Sequence, residues 1–413
     1  MITSREIDLA YARIKNVVNK TPLLFDVVLS ERYGANIYLK REDLQTVRSY
    51  KIRGAYNRMA CLSSTEREKG IVCASAGNHA QGVAYSCRIL GIKGRIYMPS
   101  TTSKQKIKQV GMFGKNHVDI ILMGDTFDEA FDAAISDCKS RQATFIHPFD
   151  DELVIAGQAT VGLEILTQSS FPIDYIFVPV GGGGLISGIG SLFSEKSPET
   201  TIIGVEPQGA PSMQQSLEQN ERVTLRDIEK FVDGAAVATV GALPFEIGKA
   251  VIDKMILVPE GKVCTTILQL YNEEAIVVEP AGALSIAALD SMADSIKGKN
   301  VVCIVSGGNN DITRTEEIKE RSLLYEGQKH YFIVRFPQRA GALREFMNEV
   351  LGPDDDITYF EYTKKNNREN GPAMVGIETK SREDFNAMVK RMDDHKILYR
   401  LINDSPELFH LLV

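Results

Sequence analysis

A chain of 413 residues, 44% hydrophobic and 24% charged, has material for two or three packed domains and the composition of an ordinary globular protein. Its formal net charge of -7, with no block of Lys or Arg, argues against nucleic acid as a partner. No apolar run approaches the length of a membrane span, and residues 1–8 lack a basic-then-apolar signal pattern, so a soluble cytoplasmic protein is expected.

From about residue 35 to 323, short apolar runs alternate with longer segments of helical period. The predicted strands are 36–40, 71–74, 94–98, 118–122, 144–146, 175–180, 202–205, 255–258 and 301–305, with helical segments such as 80–90, 126–138 and 153–167 between them. Alternation of this kind predicts βαβ units and mainly parallel sheet, in which ligands bind beyond the carboxyl ends of the strands. Three strand ends carry small polar or glycine-rich turns: Cys73-Ala74-Ser75-Ala76-Gly77-Asn78-His79, the run Gly181-Gly182-Gly183-Gly184, and Ser306-Gly307-Gly308-Asn309-Asn310-Asp311. Three such turns point to one shared pocket. The composition shifts at a polar linker, 324–329. Beyond it the order is strand 330–336, turn 337–341, helix 342–350, strand 357–363, polar loop 364–372, strand 373–378, helix 382–392 and strand 397–402. That is the ferredoxin-like βαββαβ arrangement, read as a separate domain over 330–413. The six cysteines are scattered singly, with no C-x-x-C pair, and are expected to be buried small hydrophobes rather than metal ligands or disulfides.

The run of four glycines follows the β-branched stretch Phe177-Val178-Pro179-Val180 and opens a helical pattern. Without Cβ atoms the backbone N–H groups can converge, and the positive end of the helix that follows adds to them, so a phosphate is the expected occupant. The bland alternative is a structural turn where a helix packs closely on a sheet. No Lys-Ser/Thr follows, against a P-loop nucleotide site. The dinucleotide register also fails, because the last position of G-x-G-x-x-G falls on Ile186 or Ser187, although Glu206 ends a strand about where a ribose-binding carboxylate would sit. Within Arg48-Ser49-Tyr50-Lys51-Ile52-Arg53-Gly54, Lys51 taken alone reads as a solvated lysine. If the anion is the phosphate of an aldehyde cofactor, its amine can form an imine instead. A free lysine is neutral only about one part in a thousand at neutral pH, so it needs help, and Arg48 and Arg53 are the positive neighbours expected to supply it. Glu279 precedes the predicted helix 283–292 and reads as a complement to its dipole.

Four motifs in order, Ser49-Tyr50-Lys51-Ile52-Arg53-Gly54, Ser75-Ala76-Gly77-Asn78-His79, Gly181-Gly182-Gly183-Gly184-Leu185 and Ser306-Gly307-Gly308-Asn309, resemble the pyridoxal 5′-phosphate (PLP) enzymes of the tryptophan-synthase-β type, and within them the threonine dehydratases. His147-Pro148-Phe149-Asp150-Asp151 and Gly157-Gln158-Ala159-Thr160 look like the same family, and Phe336-Pro337-Gln338-Arg339-Ala340-Gly341 resembles one ACT-like regulatory domain where longer members have two. The resemblance implies an α/β, fold type II catalytic domain over 1–323 with two parallel-sheet subdomains, the smaller inserted at about 50–150. It implies that Lys51 holds PLP and takes the substrate Cα proton, that Gly181, Gly182, Gly183, Gly184 and Leu185 bind its phosphate, and that Asn78 meets its 3′ oxygen. Ser306 would face the pyridine nitrogen, and the turn Ser75, Ala76, Gly77, Asn78 and His79 would receive the substrate carboxylate, with His79 more a structural partner than a base. Glu206 with Ala210 and Ser212 loosely resembles the cation site of serine-acting relatives, but no bound metal is expected.

The implied activity is deamination of L-threonine to 2-oxobutanoate and ammonia for isoleucine synthesis, with isoleucine or valine as effectors at the C-terminal domain and a homotetramer as the assembly. A catabolic serine/threonine dehydratase or a serine racemase shares the same motifs. Outside that class stand a nicotinamide-dependent dehydrogenase and a non-catalytic amino-acid sensor.

Overall fold

The computed structural model of the chain describes residues 1–363 and 369–403. Its backbone divides into two compact units, Met1–Asp311 and Ile312–Val413.

The first unit is built on two sheets. The larger has six strands in the order Leu23–Phe25, Asn36–Arg41, Asn300–Val305, Tyr175–Pro179, Thr201–Pro207, Lys254–Val258. All its pairings are parallel except that of the edge strand Leu23–Phe25. The smaller sheet is wholly parallel, in the order Val118–Leu122, Gly94–Met98, Ile71–Ala74, Thr144–Phe145. Each predicted strand of this region is present. The edge strand Leu23–Phe25 was not legible, because three residues are too few to show a period and its register exists only through pairing with Tyr38–Lys40. Strands buried on both faces, such as Ile71–Ala74 and Asn300–Val305, read as continuous apolar runs because helices cover both sides of the sheet.

Local chemistry sets the helix ends. Thr126 and Glu129 form a capping box that starts Phe127–Arg141, and the Asp151 carboxylate accepts from Val154 N to start Glu152–Gln168. The helix Lys51–Ala60 has no side-chain cap. It is seated by close backbone approach to Glu152–Gln168 instead: a Cβ on Gly157 would lie 2.5 Å from Arg53 O, and one on Gly54 would lie 2.8 Å from Val154 O. Two glycines thus fix the first turn of the helix that carries Lys51.

The second unit holds the helix Thr315–Tyr325 and a four-stranded antiparallel sheet in the order Asp356–Tyr362, Asn370–Glu378, Lys329–Pro337, Leu398–Leu401. With helices Ala342–Glu349 and Arg382–Asp394 this is the expected βαββαβ arrangement, cored by Phe332, Val334, Phe346, Val375, Met388 and Met392. Of the predicted polar loop 364–372, residues 364–368 lie outside the described residues, as do 404–413 of the predicted C-terminal domain. Among the described residues no helix is long and apolar enough to cross a membrane. Four cysteines are buried as expected, while Cys61 and Cys138 are half-buried.

Candidate active site

The carboxyl ends of Ile71–Ala74, Tyr175–Pro179 and Asn300–Val305 do meet at one pocket in the first unit. Its polar lining is Tyr50, Lys51, Asn78, Glu279 and Ser306, and its backbone wall includes Gly181, Gly234 and Ala235. Lys51, Asn78, Gly181 and Ser306, far apart in the chain, are thus brought together. Ser75, Ala76, Gly77, His79, Gly182, Gly183, Gly184 and Leu185 do not line the cavity.

Lys51 is half-buried, and its Nζ donates to Pro148 O at 3.3 Å. Burial pulls its pKa down to about 8, against an opposing pull from the Glu279 carboxylate. The arginines named in the sequence reading do not supply this shift. Arg48 is exposed, at a left-handed φ of 59°. The Arg53 guanidinium is fully buried and spends its charge on two carboxylates: Nε and Nη2 reach Glu42 at 2.8 Å, while Nη1 and Nη2 reach Glu164 at 2.8 and 2.9 Å. Lys40 Nζ closes the cluster on Glu164 at 2.6 Å. Desolvation, not a neighbouring cation, keeps the Lys51 amine neutral more often.

The four glycines also serve close packing. A Cβ on Gly182 would lie 2.2 Å from the Phe149 ring, and one on Gly184 would lie 2.6 Å from Gln158 Oε1 and 3.0 Å from Phe149 Cβ. Gly183 has φ +89° and caps the helix Gly184–Lys196. Packing therefore favours glycine at several of these positions. The first N–H groups of that helix have no intrahelical acceptor and stay available to an anion.

Asn78 opens the helix Asn78–Leu90, whose N-cap is Gly77. Its Nδ2 donates to Glu279 Oε1 at 2.5 Å, and its Oδ1 accepts from Asn309 Nδ2 at 2.6 Å. Glu279, read from the sequence as a helix-dipole complement, lines the pocket instead. It stands at the N-cap of Pro280–Ala287 but makes no capping bond there, and its buried carboxylate turns into the pocket wall. Burial raises its pKa to about 7, with Asp233 pushing the same way and the Asn78 and Asn309 hydrogen bonds opposing. A lone Glu before a Pro-Ala-Gly turn carries no signal that its side chain points inward. Ser306 is buried at its strand end, and its Oγ donates to Ala281 O at 3.2 Å.

His79 is buried with Nε2 2.9 Å from Ile146 O, and burial first, then the nearby Lys51 charge, hold its pKa at about 3. A neutral ring donating to a backbone carbonyl is a structural partner, as expected. Glu206 accepts from the backbone N–H groups of Met213 and Gln214 at 2.7 and 2.9 Å, so both its oxygens serve the start of the helix Ser212–Gln219. Among the described residues no group of three or more His, Cys, Asp or Glu could hold a metal ion.

The donor set fits an aldehyde cofactor bearing a phosphate: a buried amine of low pKa, a glycine cradle at a helix N-terminus that side chains would fill, and a neutral hydroxyl and amide between them.

Residues 14–307 match the family of the pyridoxal-phosphate dependent enzymes, and residues 320–412 match the C-terminal regulatory domain of threonine dehydratase. The chain is similar, at 57% identity over 412 residues, to the L-threonine dehydratase biosynthetic IlvA of Halalkalibacterium halodurans, with 100% of this chain and 99% of that protein covered. The protein of that name in Bacillus subtilis is 58% identical over 413 residues, with 100% and 98% covered. Among solved structures, the processed form of threonine deaminase isoform 2 from Solanum lycopersicum is 40% identical with a TM-score of 0.73, covering 78% of this chain and 96% of that one. Maize serine racemase is 30% identical with a TM-score of 0.72, covering 79% and 99%.

Proposed function

We infer, from a chain that belongs to the pyridoxal-phosphate-dependent enzymes and carries the regulatory domain of the threonine dehydratases, that the protein deaminates L-threonine to 2-oxobutanoate and ammonia, the first step of isoleucine biosynthesis. The observation that carries this reading at the level of the site is the convergence of Lys51, Asn78, Gly181 and Ser306 on one pocket.

When bound, the cofactor supplies an electron sink for the pair left at Cα as its proton departs. Lys51 would hold the cofactor aldehyde through Nζ, and its amine would take the Cα proton of threonine. Its pKa of about 8 leaves roughly one amine in ten neutral at pH 7, against about one in three thousand at the ordinary lysine value of 10.5. The N–H groups of Gly181, Gly182, Gly183, Gly184 and Leu185 would hold the phosphate, and Asn78 would hold the ring oxygen. Ser306 would meet the ring nitrogen as a neutral hydroxyl, leaving the ring less electron-withdrawing than a carboxylate partner would, which suits loss of a β-hydroxyl over amino-group exchange. The start of the helix Asn78–Leu90 receives the substrate carboxylate with the N–H groups of the turn from Ser75 to His79. Water is lost across Cα–Cβ, and the released enamine hydrolyses to the 2-oxo acid and ammonia.

For the second unit the reading is that isoleucine binds there and lowers activity while valine opposes it, through a two-state arrangement of a cytoplasmic homotetramer. Activity titrated with each amino acid tests the effectors, and sedimentation tests the assembly. The visible spectrum of the purified protein tests cofactor and substrate together. An absorbance band that changes on adding threonine, and changes less with serine, is the expected result. A colourless protein that releases no 2-oxo acid after incubation with PLP and threonine would sink the reading.

A further inference from the structure

Glu279 is placed in the pocket wall by three hydrogen bonds that close a ring. Asn78 Nδ2 donates to Glu279 Oε1 at 2.5 Å, Asn309 N donates to Glu279 Oε2 at 3.2 Å, and Asn309 Nδ2 donates to Asn78 Oδ1 at 2.6 Å. The second hydrogen of Asn309 Nδ2 goes to Val47 O at 2.9 Å, so that amide has no freedom to turn over. We propose that Glu279 is a positioning residue that locks the Asn78 amide in one of its two orientations, with Nδ2 toward the carboxylate and Oδ1 toward Asn309, so that a fixed N–H remains for the cofactor. The proposal rests on the PLP reading above.

An asparagine amide is nearly symmetric in shape, and its orientation is decided by its hydrogen-bond partners alone. Above its pKa of about 7 the Glu279 carboxylate accepts and has no proton to donate, so Nδ2 faces it. A fixed donor such as Asn309 Nδ2 must face Oδ1. Each partner excludes the reversed amide. Two of the four hydrogen-bonding positions of the amide are consumed this way, leaving one N–H and one lone pair.

The surrounding backbone is shaped to keep the carboxylate where it is. A Cβ on Gly307 would lie 2.3 Å from Glu279 Oε1, and one on Gly282 would lie 2.2 Å from Gly307 O. Glu279 N donates to Gly307 O at 3.2 Å, tying the two segments directly. The first glycine after Ser306 is therefore required by the Glu279 carboxylate, a reason for that motif separate from ligand contact. The charged and titratable groups acting on or near Glu279 are Lys51, Tyr50, and Asp233 with its ion-pair partner Lys106.

Glu279→Gln keeps the volume but has a single accepting oxygen, so it can satisfy Asn78 Nδ2 or Asn309 N but not both. In the holoenzyme the expected result is a fall of about ten- to hundredfold in kcat with KM little changed, a displaced visible absorption band, and a dissociation constant for PLP raised about tenfold on reconstituting the apoenzyme. The midpoint of thermal unfolding of the apoenzyme should stay close to that of the unmodified protein. Glu279→Asp, which retains two accepting oxygens on a shorter stem, should recover part of the band position and of kcat. Normal kcat, absorption band and PLP affinity in Glu279→Gln would overturn the proposal, as would losses in Glu279→Gln and Glu279→Asp alike that merely follow a lowered unfolding midpoint. Lys51→Ala, run alongside, separates the two levels. If that variant kept its band and turnover, the PLP reading itself would fail. If it lost both while Glu279→Gln behaved as the unmodified protein, the positioning proposal alone would fail.

Discussion

Replacing Arg53 with methionine removes the guanidinium that neutralises two buried carboxylates while leaving a side chain of comparable length. Arg53 makes four hydrogen bonds of 2.8 to 2.9 Å to Glu42 and Glu164, and all three side chains have 2% exposure or less. Lys40 remains on Glu164 in the variant, so the uncompensated charge falls on Glu42, left with Thr21 Oγ1 and Gln45 Nε2. Breaking a buried pair by removing one partner costs about 3–5 kcal/mol. For the 311 residues of the first unit the unfolding entropy is about 0.65 kcal/mol/K, which converts that cost to a fall of about 5–8 °C in the unfolding midpoint. The loss should also depend on pH. Burial pulls the Glu42 pKa up, but Arg53 and its other partners outweigh it and hold the group below its ordinary value. A carboxyl held low contributes stability above its unfolded pKa and loses it as pH falls. Without Arg53, burial prevails and the sign reverses, so the deficit of the variant should be small near pH 5 and grow toward pH 8. Calorimetry of both apoenzymes across that range, with Arg53→Lys as a charge-retaining control of smaller effect, measures it. A midpoint within about 1 °C of the unmodified protein at pH 8, or a deficit that ignores pH, would refute this account of the cluster.

Other outcomes follow from the same geometry. Gly182→Ala puts a Cβ 2.2 Å from the Phe149 ring and is expected to cost about 1–3 kcal/mol with weakened PLP retention, whereas Gly77→Ala meets nothing within 4 Å and should leave the unfolding midpoint unchanged. With its pKa near 8, Lys51 of the apoenzyme should capture PLP at a rate that rises with pH and levels off above about 9, followed by stopped-flow absorbance. The same depression means the unfolded chain binds the Lys51 proton where the folded chain does not, so this group makes apoenzyme stability rise from about pH 8 toward 10.5. A His79→Gln variant should keep the pH profile of kcat unchanged between pH 5 and 8, because a ring with a pKa of about 3 does not titrate there.

The alternating apolar runs and the glycine-bearing turns determined the parallel-sheet unit, the βαββαβ unit and the strand ends that meet at one pocket, because period and glycine placement are local properties of the chain. Tertiary structure decided the rest. Arg53, two residues from Lys51, looked like its electrostatic neighbour. In the fold it turns away to Glu42 and to Glu164, the latter reached only once the helices Lys51–Ala60 and Glu152–Gln168 pack together. Glu279 looked like a helix-dipole complement, and the close approach of its strand-end neighbour Gly307 turns its carboxylate toward Asn78. Burial and long-range polar pairing depend on which distant segments a fold brings together, and no pattern along the chain records them. The four glycines show both levels at once. Their tight strand-to-helix turn could be read from composition, but Gly182 and Gly184 are crowded by Phe149 and Gln158, side chains that only the packed fold places there.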